Sequence, residues 1–320
     1  MALLEIKNLS IDLQLEEGCR HLVDDLSFEI RRGEALCLIG ESGCGKSVTA
    51  LALTRLLAED TFVYRGGEIR MAGLDLLGAD EPSVRRVRGR KISYIFQDPV
   101  AYLNPVIRIG KQIGEMLQLH RPQRFHRDRV IDLLRMVGIP SPELRIDAFP
   151  HQLSGGMLQR VMIAMALASE PELLIADEPT TALDVTLQAQ ILDLLQALRE
   201  KLGMAVLLIT HNLGVVEEFA DRVAVMYAGQ IVETGSTATV LGNPRHPYTR
   251  ALIRAVPRLG ESNQRLEGIP GQVPLAGDFP TGCRFHPRCP DAQPECGSHR
   301  PALLSIEFEV EVRCPVLNRS

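Results

Sequence analysis

Residues 40–47 read Gly40-Glu41-Ser42-Gly43-Cys44-Gly45-Lys46-Ser47. This segment fits G-x-x-x-x-G-K-[ST], the pattern of a phosphate-binding loop. The apolar run 34–40 before it predicts a buried strand, and the apolar run 48–57 after it, which lacks Gly and Pro, predicts a helix. Because the pattern needs a strand before it and a helix after it, its surroundings support a loop that binds phosphate.

The residue types of this loop suit a bound phosphate. Gly43 and Gly45 let backbone N–H groups converge on one point at a helix N-terminus, where an anion is stabilised. Lys46 supplies a positive charge for β- and γ-phosphates, and the Ser47 hydroxyl can ligate Mg²⁺. A glycine-rich turn with a surface lysine could look similar, and the motifs further along the chain weigh against it.

The composition is that of an ordinary globular chain, with 320 residues, 45% of them hydrophobic, and a net charge of −5. The length suggests about two domains, and the negative charge gives no sign of a nucleic-acid partner. No apolar run reaches the ~18 residues of a membrane span, and the N-terminus lacks the regions of a signal peptide. We therefore expect a cytosolic protein that partners would hold at a membrane. Seven cysteines, an odd number, disfavour a disulfide framework.

The pattern of apolar residues predicts an α/β core with an insertion. Strands are expected at 3–15, 22–30, 68–71 and 92–96, the first two in an N-terminal antiparallel sheet. Amphipathic helices at 106–120 and 127–137 predict a helical insertion over about 98–160. The basic cluster at 85–91 is most simply a solvated surface.

A second candidate anion site begins at Ser154. This serine can cap a helix over 157–168, and Gly155 and Gly156 leave bare N–H groups at its start. An ordinary capped helix would have the same pattern. This helix start lies just upstream of an acidic strand end in the sequence, which favours an anion site over an ordinary capped helix.

That acidic strand end is Asp177-Glu178, which follows the apolar run 173–176. Asp177 is placed to hold Mg²⁺, and Glu178 can polarise a water for attack on a γ-phosphate. Gln97, after the strand at 92–96, could reach Mg²⁺ or that water. His211, after a predicted strand at 205–210, could reach the γ-phosphate.

Together these motifs resemble those of an ABC-type ATPase over about residues 3–240. The resemblance implies Walker A at 40–47, a Q-loop at Gln97, the signature motif at 153–159, Walker B at 173–177, a catalytic Glu178, a D-loop from Ala182 to Asp184, and a switch histidine at His211. It implies nucleotide contacts from Gly40, Glu41, Ser42, Gly43, Cys44, Gly45, Lys46, Ser47, Gln97, Ser154, Gly155, Gly156, Gln159, Asp177 and Asp184, with Mg²⁺ on Ser47, Gln97 and Asp177.

The resemblance also implies a fold and a partner. The fold would be α/β, a P-loop NTPase (RecA-like) core with an N-terminal antiparallel β subdomain, a helical insertion and a small irregular C-terminal domain. The ATPase domain would span 1–240 and the C-terminal extension 241–320. The family works as dimers, so a second homologous ATPase subunit is expected. Adenine would lie near Leu13, and because residues 1–27 contain no Tyr, Phe or Trp, we expect a weak or aliphatic adenine contact.

Two segments resemble the oligopeptide and dipeptide importer group, namely Phe149-Pro-His-Gln-Leu-Ser-Gly-Gly-Met157 and Asn243-Pro-Arg-His-Pro-Tyr-Thr-Arg-Ala-Leu252. That group implies ATP-driven uptake of dipeptides or short peptides, with two transmembrane permease subunits and a periplasmic or lipid-anchored binding protein at the bacterial inner membrane. Import of nickel, glutathione or longer peptides is the nearest alternative. A soluble ABC ATPase acting on DNA or ribosomes usually has two cassettes or a long coiled coil, and this chain has neither.

The tail carries four cysteines, Cys283, Cys289, Cys296 and Cys314. Four thiolates can hold a [4Fe–4S] cluster or a tetrahedral zinc ion. The spacing is wider than that of common zinc sites and resembles the cluster-binding tail of some dipeptide-importer ATPases. Free buried thiols are the alternative for these cysteines. A redox or metal sensor is a third class of function for the protein, which only the tail supports. Because the tail lies far from residues 40–47 in sequence, we expect a cysteine change there to leave the phosphate loop largely intact.

Overall fold

The computed structural model describes residues 2–16, 18–181, 183–255, 268–307 and 309–317. These residues fall into two compact units, one made of 1–78 and 209–320 and the other of 79–208. No helix in the described ranges is both long enough and apolar enough to cross a membrane. The strands are β1 (Ala2–Leu15), β2 (Gly18–Arg31), β3 (Ala35–Ile39), β4 (Phe62–Met71), β5 (Leu74–Asp75), β6 (Ile92–Ile95), β7 (Leu173–Asp177), β8 (Ala205–Ile209), β9 (Arg222–Tyr227), β10 (Gln230–Ser236), β11 (Leu304–Glu307) and β12 (Val310–Val312). The helices are α1 (Lys46–Ala52), α2 (Glu81–Val87), α3 (Pro99–Tyr102), α4 (Ile109–His120), α5 (Arg127–Met136), α6 (Pro142–Arg145), α7 (Gly155–Leu167), α8 (Val185–Leu202), α9 (Leu213–Phe219), α10 (Thr237–Gly242) and α11 (Pro247–Arg254).

The first unit contains the expected N-terminal antiparallel sheet, with strand order β2-β1-β4-β5. The strands predicted at 3–15 and 22–30 are confirmed, and the segment 68–71 is the end of the longer β4. The register places Phe62 opposite Leu13. An aromatic residue therefore lies beside Leu13, although residues 1–27 contain no Tyr, Phe or Trp. Strand pairing brings this residue from a distant part of the chain.

The tail is less irregular than expected. In the first unit the remaining strands are ordered β11-β12-β10-β9-β3, with β3 parallel to β9 and the others antiparallel. Strands β11 and β12 come from the tail, and β12 pairs with β10 through Val312 opposite Glu233. The signal for these strands was present in the sequence, because apolar and polar residues alternate from 304 to 307 and again from 310 to 312.

The second unit holds the helical insertion. Helices α4 and α5 confirm the two amphipathic segments, and both pack on α7. In the strand order β8-β7-β6, β7 is central and runs parallel to β6. In the first unit, α1 ends at Ala52, five residues before the predicted end at 57. The helix is closed there by Arg55 in a left-handed conformation (φ 53°) and by a bond from Leu56 N–H to the Leu51 carbonyl, without the glycine that usually marks such an end.

A bulge in β1 makes one glycine of β4 irreplaceable. The β1–β4 register shifts between Lys7 and Ser10, so that β1 carries an extra residue opposite Gly67. Gly67 has φ +100°, and a Cβ added there would lie 2.6 Å from Leu9 Cα and 2.7 Å from the Asn8 carbonyl oxygen. Its neighbour Gly66 has open space at the same position.

We expect Gly67→Ala to lower the free energy of unfolding by about 2–4 kcal/mol, because the side chain meets backbone atoms in a strained conformation. The matched control is Gly66→Ala, which should change the value by less than about 1 kcal/mol. Urea unfolding followed by circular dichroism measures both. Equal stabilities of the two variants would contradict the prediction.

Candidate nucleotide-binding site

The phosphate loop lies between β3 and α1, as the sequence predicts. All of β3 is buried, and α1 begins after Gly45, which is left-handed (φ 108°). Ser42, Gly43 and Ser47 are exposed, and a Cβ added at Gly43 would meet nothing within 4 Å. The loop therefore keeps an open face on the side where its N–H groups would receive a phosphate.

Lys46 lies folded over this loop. Its side chain is buried, and Nζ donates to the carbonyl oxygens of Gly40 (2.8 Å) and Glu41 (3.0 Å), with Cys44 Sγ at 3.8 Å. An ammonium group has three N–H donors, and all three have an acceptor within the loop, so the loop itself fixes the position of the Lys46 ammonium.

Glu41 is held by two residues of the tail that the sequence did not indicate. Arg288 Nη1 and Nη2 donate to the two carboxylate oxygens of Glu41 at 2.9 and 3.0 Å, and the Glu41 N–H donates to the Tyr248 hydroxyl at 2.9 Å. The tail thus contacts the phosphate loop directly, through residues other than its four cysteines, and the expected effect of a cysteine change on the loop stays a prediction. No local pattern could have shown these contacts, since the partners are 247 and 207 residues apart in sequence.

The second unit brings Gln97 and Glu178 together. Glu178 follows β7 in a left-handed conformation (φ 46°), and its Oε2 accepts from Gln97 Nε2 at 3.2 Å and from the Thr181 hydroxyl at 2.9 Å. Asp177 is the last residue of β7. The three predicted groups therefore lie at the carboxyl ends of β6 and β7, with Thr181 as an additional member.

The signature and D-loop residues occupy helix starts in the same unit. Ser154 caps α7 by accepting from Met157 N–H at 3.4 Å, so the helix begins at Gly155 rather than at 157. Asp184 caps α8 by accepting from Leu187 N–H at 2.9 Å. Gln159 is fully buried, and its amide has no hydrogen-bond partner among the described residues.

Two predicted positions remain. His211 lies in the first unit, two residues after the end of β8, and is exposed. Ala182 of the predicted D-loop lies outside the described residues.

The four tail cysteines line one cavity of about 210 Å³ in the first unit. Cys283, Cys296 and Cys314 are buried and Cys289 is partly buried. Burial raises the pKa of the Cys283 thiol, and it raises the pKa of Cys289 to about 11. Among the residues that the structure describes, no group of three or more His, Cys, Asp or Glu side chains is arranged to hold a metal ion.

The other three cysteines are separate from this cavity. Cys19 is exposed, and Cys37 and Cys44 are buried. Burial raises the pKa of both buried thiols.

At about pH 8 we expect iodoacetamide to label Cys19 much faster than Cys37 or Cys44, because only thiolates react and a raised pKa keeps the thiolate fraction low until the pH rises further. Peptide mass spectrometry of the native full-length chain gives the relative rates. Unfolded protein is the control, in which the three rates should converge. Rapid labelling of Cys44 in the native chain would contradict the burial of the phosphate-loop thiol.

The strand, open phosphate loop and acidic strand end define a P-loop nucleotide-binding cassette. Residues 23–181 match the ABC transporter family, and residues 232–296 match the C-terminal region of oligopeptide/dipeptide transporters. The dipeptide transport ATP-binding protein DppD of Escherichia coli K12 is 48% identical over 98% of this chain and 96% of its own length. DppD of Haemophilus influenzae is also 48% identical, over 98% and 95%.

A solved ATP-binding cassette, a dimer in a post-hydrolysis state bound to ADP and Pi, superposes with a TM-score of 0.64 at 27% identity, over 73% of this chain and 98% of that one. The chain belongs to the family of ABC transporter ATP-binding proteins, in its oligopeptide/dipeptide group. Both the predicted fold class and the predicted family are confirmed.

Proposed function

We propose that this chain is the ATP-hydrolysing subunit of an ABC importer that takes up dipeptides or short peptides. The observation that carries the proposal is the Glu178 carboxylate, held by Gln97 and Thr181 at the end of β7. Full-length similarity to two dipeptide transport ATP-binding proteins supports the cargo. In this proposal residues 1–240 form the ATPase domain, with a helical part at about 98–160, and 241–320 form the extension.

The proposed chemistry follows from the residue types. Lys46 and the loop N–H groups bind the β- and γ-phosphates of ATP. Glu178 accepts a proton from the attacking water, while the Gln97 amide and the Thr181 hydroxyl fix the direction of its carboxylate. His211 would contact the γ-phosphate. Ser47, Gln97 and Asp177 offer hydroxyl, amide and carboxylate oxygens, the donor set that Mg²⁺ prefers, and Mg²⁺ bound there would neutralise phosphate charge.

We propose that the chain works with partners. A second homologous ATPase subunit would close the start of its own signature helix on the nucleotide held here. Ser154, Gly155 and Gly156 of this chain, with Asp184, would serve the other site. The dimeric cassette with ADP and Pi bound supports such pairing. By analogy with the dipeptide transport relatives, we place the chain at the cytoplasmic face of the inner membrane, on two permease subunits fed by a substrate-binding protein.

We expect Glu178→Gln to retain ATP binding and to lower turnover by a factor of ~10²–10⁴, because the amide cannot accept the proton of water. Phosphate release by the chain assembled with its partner subunits measures turnover. Glu172→Gln is the matched control, since it makes the same change just before β7 begins, and it should retain normal turnover. Near-normal turnover by Glu178→Gln would rule out this residue as the base.

We also propose that Cys283, Cys289, Cys296 and Cys314 hold one [4Fe–4S] cluster. All four line a single cavity, which supports this proposal. Their sequence spacing is wider than that of common zinc sites, which favours a cluster over the alternative, zinc. When bound, the cluster would supply covalent cross-links within the tail. One described buried apolar cluster of the tail comprises Val310, Val312 and Cys314, with Ile306 and Val316 packed against it.

Chain purified without oxygen should be brown and contain about four iron atoms. Replacing any one of the four cysteines by Ser should lower the iron content, because each thiolate is a ligand, whereas Cys19→Ser should not. Iron and zinc assays with a visible spectrum provide the measurement. A colourless chain with one zinc would replace the cluster by a zinc site, and a metal-free chain would leave four ordinary buried thiols.

A further inference from the structure

The strongest unassigned feature is an ion pair that joins the tail to the phosphate loop. Arg288 and Glu41 meet through two parallel hydrogen bonds of 2.9 and 3.0 Å, and the Arg288 side chain is only 6% exposed. A buried arginine–carboxylate fork is both strong and geometrically restrictive, because the planar guanidinium matches the carboxylate in one orientation.

The tail holds the Arg288 guanidinium in place from its other side. Nε donates to the Pro270 carbonyl oxygen at 2.7 Å, and Nη1 contacts the Tyr227 hydroxyl at 3.3 Å. The Arg288 guanidinium is therefore also held by atoms other than those of Glu41, which fixes its plane for the fork.

A second tail residue holds the backbone at the same point. The Tyr248 hydroxyl accepts the Glu41 N–H, and the fully buried Tyr248 ring packs against Tyr227 and Phe285 with centroid distances of 4.6 and 5.3 Å. Glu41 is thus held at its side chain and at its N–H, while its carbonyl oxygen anchors Lys46 Nζ.

These contacts bear on a bound nucleotide in two ways. Fixing Glu41 fixes a carbonyl that positions the Lys46 ammonium. Pairing also neutralises a carboxylate within the loop, which would otherwise repel the phosphates of a nucleotide.

We propose that Arg288 and Tyr248 are positioning residues of the nucleotide site, so that the tail completes the phosphate loop within the same chain. This inference rests on the proposed nucleotide-binding function. It extends the site from the phosphate-loop motif to residues of the C-terminal extension that act through Glu41.

The test is the affinity of the full-length chain for Mg·ADP, measured by isothermal titration calorimetry. Arg288→Ala should weaken binding about tenfold, within the range usual for coupling between sites. Tyr248→Phe, which keeps the ring, should weaken binding less than Arg288→Ala does. The affinity of Arg288→Lys for Mg·ADP should lie between those of wild type and Arg288→Ala, because lysine keeps the charge but cannot form the fork. Adding Glu41→Gln to Arg288→Ala should restore part of the lost affinity, because it removes the unpaired charge.

The matched control is Arg313→Ala. Arg313 is also a buried tail arginine next to a cysteine, and it pairs with Asp25 of β2 at 3.1 Å rather than with the loop. Its loss should lower the melting temperature yet change Mg·ADP affinity by less than about twofold.

Wild-type affinity for Mg·ADP in both Arg288→Ala and Tyr248→Phe would overturn the proposal. Equal weakening by Arg288→Ala and Arg313→Ala would also overturn it, because it would indicate general loosening of the tail. A wild-type chain that binds no Mg·ADP would instead overturn the proposed function itself.

Discussion

The first unit depends on a two-residue turn, Ala228-Gly229, between β9 and β10. Gly229 N–H donates to the Cys44 carbonyl of the phosphate loop at 2.8 Å, and the Gly229 carbonyl accepts from Asp24 N–H of β2 at 2.9 Å. The Ala228 carbonyl accepts from Arg284 of the tail. The phosphate loop, the N-terminal sheet and the tail therefore meet at one turn. Only glycine fits the second position, because φ is +81° and a Cβ would lie 2.2 Å from the Leu22 carbonyl oxygen.

The tail is attached by buried charge as well as by apolar packing. Arg284, Arg288 and Arg313 each adjoin a tail cysteine, each is buried, and they pair with Asp24, Glu41 and Asp25 respectively. Burial lowers the pKa of Arg284 to about 10, so it still carries its charge at neutral pH. Removing one partner of such a pair leaves an uncompensated buried charge, which costs about 3–5 kcal/mol. The three pairs thus fix the tail to the N-terminal sheet and the phosphate loop at three separate points.

Sequence patterns predicted elements well where neighbouring residues decide the structure. The strands at 3–15 and 22–30 and the helices α4 and α5 follow from apolar periodicity alone. The patterns failed at the early end of α1, where Arg55 adopts a left-handed conformation that no glycine in the sequence marks. They also left Phe62 unnoticed beside Leu13, because strand register is set by pairing between distant segments.

The sequence by itself determined the phosphate loop, the acidic end of β7 and the capped start of α7. Each of these depends on a few consecutive residues whose backbone preferences and side-chain chemistry suffice. Only the tertiary structure decided that Glu41 is held by Arg288 and Tyr248, that Thr181 joins Gln97 at Glu178, and that four dispersed cysteines share one cavity. The physical reason is that these contacts join residues with no common period or motif, and they form only when packing brings their separate elements together.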